Sequence, residues 1–425
     1  MFKFLVKGLI RDRHRSLLPI IVVALGVLIT VYTYTYMKGV FGESLEIAAI
    51  FDSGDVKITS RAYYAEKDEA PNDLALENTG DLLGQIRKDF PELAWSERIK
   101  FAGLVDAFDS DRVTRAQSGV RGVAIDLLGS DSSDRDRWQL ETAVTEGRAP
   151  ENPREILITQ KLAERMKINV GEEVTLITNT INGAMSAVNL TVSGTVYFGV
   201  GFMDRDLILA DLKDIRWILD MEGWTSELLG FFDLPAYDDE IATALADDFN
   251  LKHADSSDDP YGAVMNTMLD DSGMREYFNY AENAGSIVII IMITAMGVVL
   301  WNAGLMSGIR RYGEMGLRLA VGESKGHVYR SLLGESIAVG LVGTFFGTLL
   351  GLGLAFYLQE VGIDISGMMG DAEIPFPTIL RAKINGMAFV IGVFPGVMST
   401  FFGAALSGLA IYKRNTAALF KELES

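Results

Sequence analysis

Four long apolar stretches interrupt an otherwise mixed polar chain: Leu17–Met37, Ala284–Met306, Ser331–Leu358 and Ile384–Tyr412. Each meets or exceeds the roughly 20 residues a helix needs to cross a hydrocarbon core. Between the first and second lies a long stretch of soluble-looking sequence, residues 38–283. This layout predicts a membrane α-helical protein with four transmembrane helices, one plus three, and a large extracytoplasmic mixed α/β domain.

Within residues 38–283, short β-branched and apolar runs predict strands over Val56–Ser60, Ile99–Phe108, Glu155–Thr159, Glu173–Thr178, Leu190–Phe198 and Asp206–Ala210. Helical spacing predicts short helices over Leu82–Asp89, Gln160–Met166, Leu212–Leu219 and Asp239–Phe249. Thr178–Val188, with Asn182-Gly183 near its middle, reads as a hairpin tip. A helical stretch from about Tyr261 is expected to run on into the second span. Before the first span, Phe2, Leu5, Val6, Leu9 and Ile10 fall on one helical face with Lys3, Lys7 and Arg11 on the others. That pattern predicts an interfacial amphipathic helix over residues 1–16.

Charge orients the spans. Lys3, Lys7, Arg11, Arg13 and Arg15 precede the first, Arg310, Arg311, Arg318, Lys325 and Arg330 lie between the second and third, and Lys413, Arg414 and Lys421 follow the fourth. Basic flanks stay on the cytoplasmic side. Residues 307–330, the tail 413–425 and both termini are therefore expected inside, and the large domain and the short loop 359–383 outside. A membrane location is expected, with the basic flanks on its cytoplasmic face. In the third span, Gly343, Gly347 and Gly351 repeat every four residues, a small-residue stripe on which another helix can pack closely. Glu335 lies near the cytoplasmic start of that span, and Pro395 is expected to kink the fourth.

Composition narrows the chemistry. Residues 38–283 carry 23 Lys+Arg against 47 Asp+Glu, a balance of −24, while the rest carries 15 against 10, a balance of +5. So acidic a domain repels phosphate, which disfavours nucleic-acid binding, and its plainest use is solubility. The chain has no cysteine and three histidines, His14, His253 and His327, far apart. Thiolate zinc sites and cysteine nucleophiles are excluded, a histidine metal cluster is disfavoured, and no metal is expected. No Walker-A pattern occurs. Gly322-Glu-Ser324-Lys-Gly326 spells the hydrolase elbow G-x-S-x-G, but it stands in a loop between two spans, without the strand and catalytic domain that motif requires. The residues give no support to an enzyme.

Trp301-Asn-Ala-Gly-Leu-Met-Ser-Gly-Ile-Arg-Arg-Tyr-Gly-Glu314-Met-Gly-Leu-Arg318-Leu-Ala-Val-Gly322 resembles the FtsX-like permease family. Asn302, Arg311, Glu314-Met-Gly316, Arg318 to Gly322 and Glu335 fill the family's characteristic places, with Met315 in place of the usual isoleucine. Gly147-Arg148, Glu155-Ile-Leu-Ile, Leu162-Ala163, Val170-Gly171-Glu172 and Val192-Ser-Gly-Thr-Val196 resemble the outer-domain core of the MacB and LolC/LolE branches. The tail Lys413-Arg-Asn-Thr-Ala-Ala-Leu419 is also similar, with Thr416 where proline is usual.

The resemblance implies a permease subunit of a mechanotransmitting ABC transporter. ATP and Mg would sit on a separate ATPase subunit, and this chain would hold no cofactor. It also implies a second permease subunit, as a homo- or heterodimer, membrane lipids, and a periplasmic carrier or adaptor protein as partners. Arg310, Arg311, Glu314, Met315, Arg318 and Gly322 would form the ATPase-coupling segment. Tyr32, Tyr36, Met37, Met296 and Trp301 would face a substrate cavity, although the aromatic residues equally suit an interfacial belt. Asn182, Gly183 and Met185 would meet the periplasmic partner, on a hairpin shorter than the LolC hook and without proline. Gly54-Asp-Val-Lys-Ile-Thr-Ser-Arg-Ala-Tyr63 resembles the domain start of LolC/LolE-like proteins, which makes lipoprotein release the first expectation. MacB-like efflux of peptides, drugs or lipids and FtsX-like signalling to a periplasmic partner are the alternatives.

Overall fold

The computed structural model describes residues 13–109, 113–129, 132–201, 203–233, 237–253, 259–271, 312–365 and 377–413, with Arg275 and scattered helical positions between 287 and 302. The expected second span, 284–306, the tail and most of the segment 1–16 lie outside these residues. Two units are present: Met1–Phe41 with Asn279–Ile363 and Leu380–Ser425, and Gly42–Phe278 with Asp364–Ile379.

The second unit is mixed α/β. Its strands are β1 (Val56–Ser60), β2 (Leu93–Phe108), β3 (Thr114–Ile125), β4 (Val144–Gly147), β5 (Glu155–Thr159), β6 (Glu173–Asn179), β7 (Met185–Val196), β8 (Leu207–Asp211), β9 (Glu227–Phe232) and β10 (Ala263–Thr267). The long strand β2 serves two bodies. Its first half pairs with β9, which continues through β1 to β10 as an antiparallel sheet. Its second half pairs with both β3 and β6. From there β3 pairs with β8, β8 with β5, β5 with β7, and β7 with β6. The six strands β2, β3, β8, β5, β7 and β6 thus close into a ring, a small barrel that leaves none of them as a bare edge.

Side-chain alternation fills this barrel. Ile99, Phe101, Val105, Ile156, Ile158, Val174, Leu176, Leu190, Val192 and Ile208 form its buried core, closed by Leu162 and Met166 of the helix Gln160–Met166 and Ile215 and Ile218 of the helix Leu212–Leu219. The latter starts on Asp211, whose carboxylate accepts the Lys213 N–H at 3.0 Å. A second core lies on the antiparallel sheet, where Val56, Ile58, Trp95, Leu228 and Met265 meet Leu83 and Ile86 of the helix Thr79–Asp89 and Phe249 of the helix Asp239–Lys252.

Several expectations change here. The stretch after Tyr261 is not a helix from its start: Ala263–Thr267 is strand β10, registered on β1, and helix begins at Met268. β10 completes the hydrogen bonds of β1, and that pairing overrides the helix-forming preference of Ala263 and Met265. Strands β3, β4 and β9 were not expected, and β2 begins at Leu93 rather than Ile99. The first apolar helix runs Arg13–Ala48, well past Met37, and ends in a π turn, Ala49–Ser53.

Three helical segments among the described residues are long and apolar enough to span a membrane: Leu17–Ser53, Lys325–Val361 and Gly386–Leu406. The last is broken. A 3-10 turn at Gly386–Phe389 and a π turn at Phe394–Met398, holding Pro395, precede the regular helix Ser399–Lys413. The proline ring removes one helical hydrogen bond, which accounts for the break.

Candidate functional site

The short segment between the second and third expected spans is a helix, Tyr312–Ala320. Its end is built from backbone bonds: the Val321 N–H reaches Leu317 O at 3.0 Å, Gly322 reaches Leu319 O at 3.1 Å, and Glu323 reaches Arg318 O at 3.0 Å. Gly322 has φ +99°, which a side chain would disfavour, so the chain can reverse there. Ser324 then caps the next helix, Lys325–Val361, accepting the His327 N–H at 3.3 Å. The G-x-S-x-G serine is a helix cap.

The helix has two sides. Gly316 is buried, and Leu319 packs against Val328, Leu332 and Ala404. On the other side Leu317 is 59% exposed and Val321 82%, with exposed Arg318 beside them. Leu317 and Val321 are four residues apart, so they share a face. Sequence reading selected Arg318 and Gly322 but passed over Leu317 and Val321; their i, i+4 spacing opposite Leu319 was the available signal. Glu314 and Met315 lie within this helix, while Arg310 and Arg311 fall outside the described residues.

The other expected site residues are scattered. Tyr32 and Tyr36 stack with ring centroids 6.4 Å apart and pack on Ala355, Leu358 and Ala382. Met37 is half-buried, and Met296 and Trp301 lie outside the described residues. Tyr34, between the stacked pair, is buried, and its hydroxyl accepts Asn385 Nδ2 at 3.1 Å. The glycine stripe lies against the first helix: a Cβ at Gly343 would be 2.6 Å from Val23 Cβ, at Gly347 2.5 Å from Ala24 O, and at Gly351 3.0 Å from Val31 Cβ.

The hairpin between β6 and β7 turns at Thr180–Ala184, where the Thr180 N–H donates to Ala184 O at 2.7 Å. It is held down at its tip. The Ile181 N–H donates to Leu219 O at 2.8 Å, the Ile181 side chain packs on the barrel core, and Asn182 Nδ2 reaches Asp220 Oδ2 at 3.2 Å. Asn182 and Gly183 remain exposed, and Met185 is 77% exposed. Beside the tip is a cleft of about 560 Å³ whose walls include Glu69, Asn72, Asp73, Phe101 and Thr178. Among the described residues no group of three His, Asp or Glu side chains is arranged to hold a metal.

Residues 286–416 match the family described as FtsX-like permease C-terminal, so the chain carries an FtsX-like permease domain that includes the helix Tyr312–Ala320. The chain is similar to the lipoprotein-releasing system transmembrane protein LolC of Xylella fastidiosa, 21% identical over 262 residues, 56% of this chain and 61% of the relative. It is also similar to the macrolide export ATP-binding/permease protein MacB 1/2 of Paracoccus denitrificans, 38% identical over 110 residues, 26% of this chain and 16% of the relative. The chain thus spans less than two thirds of either relative. Among solved structures, the periplasmic region of MacB from Actinobacillus actinomycetemcomitans aligns over 53% of this chain and 97% of its own, with 9% identity and a TM-score of 0.35.

Proposed function

We propose that this chain is the permease subunit of an ABC transporter, in which ATP hydrolysis on a separate ATPase subunit drives movement of the α/β unit outside the inner membrane. The observation that carries this reading is the exposed face Leu317–Arg318–Val321, on a short helix and the turn that ends it, within the segment that matches the FtsX-like family. An apolar i, i+4 pair flanked by a cation suits insertion into a groove of a partner. Arg310, Arg311, Glu314 and Met315 belong to the same contact, and ATP and Mg to the partner. The large domain and the loop after the third span lie outside, and both termini inside. A second permease subunit completes the assembly.

The work done is release of lipid-linked cargo, lipoproteins first. The alignment with LolC, which extends over 56% of this chain, favours it. Efflux through an adaptor is the second reading, favoured by the higher identity, 38%, to a MacB protein over a shorter segment. Capture of the tagged chain from its own cells in mild detergent, with mass spectrometry of proteins and lipids, separates these. An ATPase with acylated lipoproteins supports lipoprotein release. An ATPase with an adaptor and no lipoprotein supports efflux. Absence of any ATPase contradicts the permease reading.

A further inference from the structure

Five charged side chains from distant parts of the sequence form one row within the α/β unit, and Lys67 Nζ joins it 3.5 Å from the Oδ1 of its last member, Asp271. Asp52 Oδ1 meets Lys100 Nζ at 2.8 Å, and Lys100 Nζ meets Glu227 Oε1 at 3.1 Å. Glu227 Oε1 meets Lys57 Nζ at 3.1 Å, and Lys57 Nζ meets Asp271 Oδ2 at 2.6 Å. The side chains of Lys57, Glu227 and Asp271 are 2%, 2% and 3% exposed. Isolated buried charges are costly, and even paired ones rarely surpass an apolar core in stability. Three fully buried members in one row call for a use beyond stability.

The two ends of the row lie near the two ends, in sequence, of this unit's main segment, Gly42–Phe278. Asp52 is in the π turn Ala49–Ser53 that closes the first apolar helix, and Asp271 ends the helical turn Met268–Asp271. The sheet lies between them: Lys57 is on β1, Glu227 on β9 and Lys100 on β2. Arg98, 1% exposed, fixes the π turn from the same sheet, donating to Ile50 O at 2.8 Å and Phe51 O at 2.9 Å. Those carbonyls are the negative end of the helix, where a guanidinium is well placed. The second stretch is also tied by backbone to the residues that follow the first, the Met268 N–H donating to Asp55 O at 3.1 Å.

We propose that the ion-pair row Asp52–Lys100–Glu227–Lys57–Asp271 locks the stretches 49–53 and 268–271 to a common sheet, so that displacement of either is delivered to the other. Its use as a transmission element rests on the permease reading above; the lock itself does not. Lys57, Lys100 and Glu227 are positioning residues. They hold the two stretches through each other and through the strands. A competing account is that apolar contact alone does this, since Ala48 and Ala49 pack in one cluster with Met268 and Leu269.

Hydrogen exchange on the full-length chain in nanodiscs separates the two accounts without any ATPase. Asp52→Asn alters only the first stretch and Asp271→Asn only the second. A lock predicts a reciprocal effect, with exchange at 268–271 rising about tenfold in Asp52→Asn and exchange at 49–54 rising as much in Asp271→Asn, a loss of about 1.4 kcal/mol each. Lys100→Arg, which keeps the charge, stays near wild type. Amides of β5 report that the barrel is intact. If Asp271→Asn also loosens β5, Asp52→Asn decides, because its side chain is 39% exposed and its removal is mild. Loosening confined to the substituted stretch, or none, overturns the lock. A reciprocal effect in a chain that captures no ATPase would uphold the lock while removing its use in transport.

Discussion

Gly347 and Ala24 bring two apolar helices together at backbone distance: a Cβ on Gly347 would stand 2.5 Å from the Ala24 carbonyl oxygen. With no water to expel between helices in a membrane, such close packing is a main source of their association. Gly347→Val should therefore destabilise the chain in detergent by about 1–3 kcal/mol, the usual range for overpacking. Gly353, with nothing within 4 Å among the described residues, is the control, and Gly353→Val should unfold like wild type. Thermal unfolding of the two variants side by side checks this. Equal midpoints would remove the stripe from the packing account.

The barrel core should be sensitive in the ordinary way. Leu176 is fully buried among barrel side chains, whereas Leu104, on a neighbouring strand, is 43% exposed. Leu176→Ala should cost about 2–5 kcal/mol through lost burial and the cavity left behind. Leu104→Ala should cost much less. Denaturant midpoints followed by intrinsic fluorescence would show the difference.

The ion row gives the α/β unit a defined pH response. Burial alone would raise the Glu227 carboxyl, but Lys100, Lys57 and Arg98 together hold it below the usual carboxylate value of 4.5. A depressed folded value contributes stability above about pH 4.5, lost as pH falls through that folded value. Burial would likewise lower Lys57, but Asp271 and Glu227 raise it above the usual 10.5, so its contribution is present below that pH and lost as pH rises through the raised value. Glu227→Gln leaves Lys57 and Lys100 facing an uncharged partner and should cost about 3–5 kcal/mol at neutral pH. It should also flatten the acid limb below about pH 4.5, in urea titrations across that range. An acid limb as steep as wild type would show that other carboxylates govern it.

The helix Lys325–Val361 begins on a side-chain cap, Ser324 to the His327 N–H. Ser324→Ala should cost about 1 kcal/mol and fray the first turn, while a hydrolytic serine would instead be marked by an active-site probe. Exchange at residues 325–328 checks the cap, and labelling of Ser324 by a fluorophosphonate would contradict it.

Parts of this architecture were plain in the sequence. Val56–Ser60, Glu155–Thr159, Gln160–Met166 and Leu212–Leu219 occur at the bounds their patterns predict, because the two strands are rich in β-branched residues and the two helices carry apolar residues at helical spacing. β3 was hidden because much of it faces outward with polar residues, and because Gly119 and Gly122 weaken its strand signal. Phe101 lies directly over Gly122, a close approach that only a missing side chain allows. Ala263–Thr267 reads as helix locally and becomes strand through pairing with β1. The ion row had no local signal at all, since its members stand at 52, 57, 100, 227 and 271. On the candidate site, the family resemblance drew attention to Arg318, but the apolar pair Leu317 and Val321 emerged only once Leu319 was seen to pack inward.

ATP turnover by the complex captured on this chain tests the central claim most directly, with wild type set against Glu314→Lys and against Leu317→Asp/Val321→Asp in nanodiscs. The account predicts that the variants insert normally yet bind the ATPase at least about tenfold more weakly, a loss of about 1.4 kcal/mol, with permease-dependent turnover falling accordingly. Unchanged binding and unchanged turnover in all variants would contradict the account, because the helix Tyr312–Ala320 would then not be the place where the two subunits meet.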